Sequence, residues 1–129
     1  MKPTKYETKY LELQAQLDAW RQEYPEIFMD PSSPVPVSFG GYEDMGLTMG
    51  ICRSWRTWSE ITLGHKFEHK RFGWLEKSVL WHEFAHAIAY HEDKIGDKHN
   101  DHWKDIQKHK PLLVLGDWLA KFSYRFMKS

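Results

Sequence analysis

The segment HKFEHKRFGWLEKSVLWHEFAH, residues 65–86, contains two patterns of histidine and glutamate that could bind a metal ion. The first is His-x-x-Glu-His, at residues 65–69, and the second is His-Glu-x-x-His, at residues 82–86. Both patterns occur in zinc peptidases, where the histidines bind the metal and the glutamate acts on water. The elements that carry each pattern must decide which of them can form a metal site.

The second pattern lies in the middle of residues 74–92, which contain neither Gly nor Pro and are predicted to be helical. Side chains four residues apart share one helix face, so His82 and His86 can both point at a single ion. Glu83 projects beside them, where it can contact a water molecule on the metal rather than the metal itself. The opposite face is expected to pack in the core through four apolar residues, Trp81, Phe84, Ala85 and Ile88.

A catalytic zinc site needs a third protein ligand. His99 is favoured, because it would begin a new helix after a turn at Gly96, where the chain can fold back on the first helix. His102 is the alternative ligand. Trp103 and Ile106 would face inward and hold this second helix in place.

The first pattern has weaker support. His65, Glu68 and His69 lie between a strand ending near Gly64 and the break at Gly73, which is too short for a well-supported helix. We therefore expect these residues in a loop or a short surface helix.

Composition limits the function classes. The 129 residues suit one domain, and equal numbers of basic and acidic residues, 18 each, give no overall attraction to nucleic acid or to an anionic membrane. The single cysteine, Cys52, excludes an internal disulfide and a cysteine-based zinc ribbon. With no signal peptide and no apolar run of transmembrane length, we expect a cytoplasmic protein.

The remaining periodicity predicts an α+β fold with a small, mostly antiparallel three-stranded sheet. The chain is treated as a single domain, residues 1–129, with a core at about 4–110. The predicted elements are a helix at 4–24, strands at 35–39, 47–53 and 60–64, a helix at 100–110 stopped by Pro111, and an amphipathic aromatic helix at about 116–128 with Asp117 near its start.

This order of elements resembles the SprT-like zinc metallopeptidases, which include the Spartan-type proteases that cut protein crosslinked to DNA. The family pattern HExxH…HGxx(F/W) is matched by HEFAH at 82–86 and HNDHW at 99–103. GLTMGICRSWRTWSEITLG also looks like the strands that precede the family's metal-binding helix. This sequence departs from the family pattern in two ways: Asn100 replaces the usual Gly, and the Cys-based zinc ribbon that often follows the domain is absent. Association with DNA is implied by the resemblance, but the balanced charge of the chain does not support it.

The resemblance implies that the α+β fold is a zincin-like minimal metallopeptidase domain and that the protein is a zinc-dependent metalloendopeptidase. Zn²⁺ would be held by His82, His86 and His99, and Glu83 would be the general base for a zinc-activated water. A protein or peptide substrate is expected to add as a strand at the sheet edge near residues 60–64.

Several alternatives stay open. The donor to the oxyanion could be Tyr42, Tyr90 or His102, although each is more readily explained as structural. An all-histidine site also accepts cobalt, nickel or copper. The protein could instead be a catalytically weak or inactive zinc-containing module that binds protein or nucleic acid through exposed aromatic residues of its C-terminal helix, or a zinc hydrolase acting on another bond.

Overall fold

The described part of the chain folds into four α-helices and a three-stranded sheet. The structure is a computed structural model that describes residues 5–27, 35–40, 49–55, 58–67, 73–93, 99 and 101–126. Its elements, in chain order, are α1 (Lys5–Gln22), β1 (Val37–Gly40), β2 (Gly50–Trp55), β3 (Trp58–Gly64), a 3-10 turn (His65–Phe67), α2 (Trp74–Asp93), α3 (Asp101–Gln107), α4 (Pro111–Ser123) and a second 3-10 turn (Tyr124–Phe126). Within these ranges, no helix is both long enough and apolar enough to cross a membrane.

The predicted α+β class is confirmed, and the sheet is mixed, with strand order β1-β3-β2. The β2–β3 pair is antiparallel, as expected, whereas β1 pairs with β3 in parallel. The expectation that residues 60–64 form a sheet edge is wrong, because β3 is hydrogen-bonded on both sides. Ile61 and Leu63 are completely buried and Thr62 nearly so, a pattern that suits a central strand covered on both faces.

The core lies between α1, α2 and the sheet. Leu13, Leu17 and Trp20, which recur at helical spacing along α1, are buried, and the four apolar residues expected on the inner face of α2 are completely buried. The Trp20 and Trp81 rings meet edge to face with centroids 5.3 Å apart, a favourable geometry for aromatic pairs. This packing fixes α2, so its histidine face is held in one orientation above β2.

The C-terminal half differs from the prediction at its helix boundaries. α3 ends at Gln107, and Pro111 begins α4 instead of only ending the preceding helix. Proline is well tolerated at the first position of a helix, because its missing N–H has no partner there in any case. α4 therefore begins at Pro111 rather than at about residue 116, and Asp117 lies in the middle of the helix instead of near its start.

The aromatic stripe predicted for the C-terminal helix faces outward. Trp118 is 55% exposed and Phe122 60% exposed. The buried face of α4 consists of small or polar residues together with one leucine: Leu113, Gly116, Asp117 and Ala120. α4 thus approaches α2 through this narrow face, and most of its large apolar side chains are exposed to solvent.

Candidate metal centre

Three imidazole side chains converge above α2. One nitrogen from each of His82, His86 and His99 lies within 4.8 Å of the other two, and the Nε2 atoms of His82 and His99 are 3.2 Å apart. Nitrogens bound tetrahedrally to zinc at about 2.0–2.1 Å would be roughly 3.3 Å apart. The three residues therefore have the donor type and a spacing that suit a metal ion.

Helix geometry and the start of α3 explain this convergence. His82 and His86 are one turn apart on α2, and both are buried, whereas His99 is exposed. Partial burial, and next the neighbouring His82, lower the pKa of His99. A lowered pKa favours the neutral imidazole, which is the form that binds metal. The site thus has a buried floor on α2 and opens to solvent at His99.

Trp103 is packed against all three imidazoles. Its ring centroid lies 4.7 Å from that of His82, 5.2 Å from that of His86 and 4.5 Å from that of His99. Its indole N–H also donates a hydrogen bond to the His82 carbonyl, at 3.2 Å. The expectation that Trp103 holds α3 against α2 is met by these contacts, which also restrict the rotation of the histidine rings.

Asp117 of α4 contacts His82 at Nδ1, the ring nitrogen that does not face His99. Its Oδ2 atom is 2.9 Å from Nδ1 of His82, and both side chains are buried. When Nδ1 carries the proton and its N–H donates a hydrogen bond to the carboxylate, Nε2 is the unprotonated nitrogen, and Nε2 is the atom that approaches His99. Asp117 therefore lies where it can select the tautomer of His82.

Glu83 lies beside the three histidines in a water-poor environment. One of its carboxylate oxygens is 3.7 Å from Nε2 of His82. Burial raises the pKa of Glu83 to about 7, and the nearby His82 opposes this shift while Asp117 adds to it. A carboxyl group with a pKa near neutrality is suited to accept a proton and then to donate it.

Strand β2 runs directly beside Glu83. A Cβ atom added at Gly50 would lie 3.0 Å from Cγ of Glu83 and 3.2 Å from Cγ1 of Val79, so any larger residue here would press on the Glu83 side chain. Cys52 follows on the same face of β2. Burial, and next the charge of Glu83, raise the pKa of the Cys52 thiol to about 12, which makes it a poor nucleophile or metal ligand.

The other candidates from the sequence lie elsewhere. His102 is outside the three-histidine group, with Nε2 3.4 Å from a carboxylate oxygen of Glu92. The Tyr90 ring contacts His91, with centroids 5.2 Å apart. Tyr42, Asn100 and most of the first histidine pattern, Glu68 and His69, are outside the described residues, and the backbone of His65 lies in the 3-10 turn His65–Phe67.

Sequence reasoning missed the roles of Asp117 and Gly50. The sequence places Asp117 near the start of a helix, and nothing in the local sequence links it to His82, 35 positions earlier. One signal was available: Asp117 interrupts an apolar segment, LLVLGDWLA, where an acidic side chain needs a partner if it is buried.

The comparisons with known proteins agree with this geometry. The model of the SprT-like family matches residues 14–110, which is more than half of the chain and includes all three histidines and Glu83. No curated protein and no solved structure matches the chain. The chain therefore belongs to the SprT-like family.

Proposed function

We propose that this protein is a zinc-dependent endopeptidase, with His82, His86 and His99 as the metal ligands and Glu83 as the general base. The observation that carries the proposal is the approach of three imidazole nitrogens to within 4.8 Å of one another beside a buried carboxylate. Zinc is the metal proposed because histidine nitrogens and an open fourth position are typical of its catalytic sites.

The chain's own residues would divide the chemistry among them. A bound zinc ion would supply Lewis-acid polarisation of the scissile carbonyl and would increase the acidity of the attacking water. Glu83 would accept the proton of the attacking water and donate it to the leaving amine. Glu83 itself is only 6% exposed, so few solvent molecules can compete for this carboxylate.

The substrate is proposed to lie along β2, and this replaces the earlier expectation for residues 60–64. The N–H of Gly64 donates to the carbonyl of Met49 at 2.7 Å. Because hydrogen-bonded pairs alternate along antiparallel strands, the backbone polar groups of Gly50, Cys52 and Ser54 are directed away from β3. A peptide strand added at this edge would pass beside Glu83 and be held mainly by backbone hydrogen bonds.

The test combines metal analysis with proteolysis. Purified parent protein should contain one zinc per chain and cleave casein, and a chelator should stop the cleavage. Glu83→Gln should keep the zinc and lose cleavage by a factor of about 10²–10⁴. Glu12→Gln, a change at an exposed position on α1, is the control and should behave as the parent does. Equal cleavage by the Glu83→Gln variant and the parent would show that Glu83 is not the base.

The alternative is a zinc-containing module that binds protein or nucleic acid without cleaving it. The observation in its favour is the exposed apolar face of α4, where Leu112, Leu115, Trp118 and Phe122 are each about half exposed or more. Zinc at full occupancy, with no cleavage of casein or of the protein itself with or without chelator, would support this alternative over the peptidase.

A further inference from the structure

The contact between Asp117 and His82 joins the candidate metal centre to α4, a helix outside the residues that match the SprT-like family. Three contacts determine where α4 lies. Near its beginning, the indole N–H of Trp74 donates to the carbonyl of Leu112 at 3.1 Å. In the middle, Gly116 lies so close to Ser78 of α2 that a Cβ atom would overlap the Ser78 hydroxyl.

The third contact follows the end of α4. Tyr124 is buried, its ring centroid lies 5.1 Å from that of Phe67, and its carbonyl accepts a hydrogen bond from Nζ of Lys66 at 3.3 Å. Because α4 is fixed at both ends and in the middle, the Asp117 carboxylate has a defined position over His82. Such a fixed position is what a residue needs in order to orient a metal ligand.

The environment of Asp117 argues against a role in stability alone. The residue is only 6% exposed, and its Oδ1 atom is buried without a hydrogen-bond partner among the described residues. Burying a carboxylate costs free energy that one hydrogen bond to an imidazole does not recover in full. A side chain that is unfavourable for folding but aimed at a candidate ligand is characteristic of a functional site.

We propose that Asp117 is a positioning residue of the metal centre, which holds His82 in the tautomer and orientation that direct Nε2 to the metal. The inference rests on the proposed function, because it requires that the three histidines bind zinc. Carboxylates that accept a hydrogen bond from a metal-binding histidine commonly raise metal affinity 10-fold to 100-fold. The family-matched segment therefore depends on α4 for full metal affinity.

The experiment measures zinc affinity and stability separately. The zinc Kd of the full chain is determined at pH 8 by competition with a chromophoric chelator, and the free energy of unfolding of the metal-free protein is determined in urea at the same pH. Asp117→Ala should raise the Kd 10-fold to 100-fold. Asp117→Asn, which keeps the shape and one acceptor oxygen, should recover part of the affinity. Asp105→Asn, a change at an exposed position on α3, is the control and should leave the Kd unchanged.

The stability measurement distinguishes positioning from a structural role. If Asp117 positions His82, metal-free Asp117→Asn unfolds at the same urea concentration as the parent, or a higher one, although its zinc affinity is lower. If Asp117→Ala does not fold, the zinc Kd and the urea unfolding of Asp117→Asn are sufficient for the test. A Kd within twofold of the parent's in the folded variants overturns this inference and leaves the proposed function intact. A parent that binds no zinc overturns both.

Discussion

Replacing Gly116 with alanine tests the close packing of α4 on α2. A Cβ atom at this position would overlap the Ser78 hydroxyl and would lie 2.9 Å from both Cβ of Ser78 and Cε2 of Trp74. In an exposed helix interior, Gly→Ala stabilises a protein by about 1 kcal/mol. Here α2 and α4 would have to separate to make room for the methyl group. Overpacking usually lowers the free energy of unfolding by up to about 3 kcal/mol, and the close contacts of Gly116 place this substitution at that upper end.

The expected net effect of Gly116→Ala is a loss of about 2 kcal/mol in the free energy of unfolding, the overpacking cost less the gain in helix propensity. At about 4 °C per kcal/mol for a chain of this size, Tm should fall by about 8 °C. Urea unfolding and a thermal melt of the metal-free protein measure both quantities. Zinc affinity should also fall, by about tenfold, because the shift of α4 carries the neighbouring Asp117 away from His82.

A double-mutant cycle with Ser78→Ala gives the control. Removing the Ser78 hydroxyl takes away the atom that the new methyl group overlaps, so Gly116→Ala should cost about 1 kcal/mol less in that background than in the parent. If Gly116→Ala leaves the protein equally stable or makes it more stable, then α4 does not pack on α2 as closely as described. The reasoning about Asp117 would then lose its structural basis.

Three further changes test other parts of the structure. Trp103→Ala removes the ring that contacts all three histidines and should lower the free energy of unfolding in urea by about 3 kcal/mol. Trp103→Phe keeps a ring but loses the indole N–H, and it should lower the free energy of unfolding by only about 1 kcal/mol. Equal losses in the two variants would contradict the packing role of Trp103. Gly50→Ala should reduce casein cleavage at unchanged zinc content, because the new methyl group displaces Glu83, and unaltered cleavage would argue against this proximity. Burial raises the pKa of Glu76 from 4.5 to about 7, and its partner Lys9 opposes the shift. A carboxyl group whose pKa is raised on folding contributes stability that is present below its unfolded pKa and is lost as pH rises through its folded pKa. The free energy of unfolding of the parent should therefore fall between pH 5 and pH 8 relative to that of Glu76→Gln, which cannot ionise there. A difference between the two proteins that is constant with pH would refute this.

The sequence contained the parts of the site that depend on local geometry. Four-residue spacing within a helix places His82 and His86 on one face whatever surrounds the helix, and it places Glu83 beside them. The α1 stripe of Leu13 and Leu17 was predictable for the same reason, since a 3.6-residue period identifies the face that must be buried. His99 could be favoured over His102 because a turn predicted at Gly96 would let the chain fold back on the preceding helix.

Tertiary packing alone decided the rest. Strand order depends on which edges meet, and a short segment such as EITLG has the same local pattern at an edge or in the centre, so the sequence did not reveal that β3 is central. The sequence predicted an amphipathic C-terminal helix but not the face that packs on α2, and α4 approaches α2 through Gly116 because only glycine allows so short a distance. That approach brings Asp117 to His82, a contact between residues far apart in sequence that no local periodicity can specify.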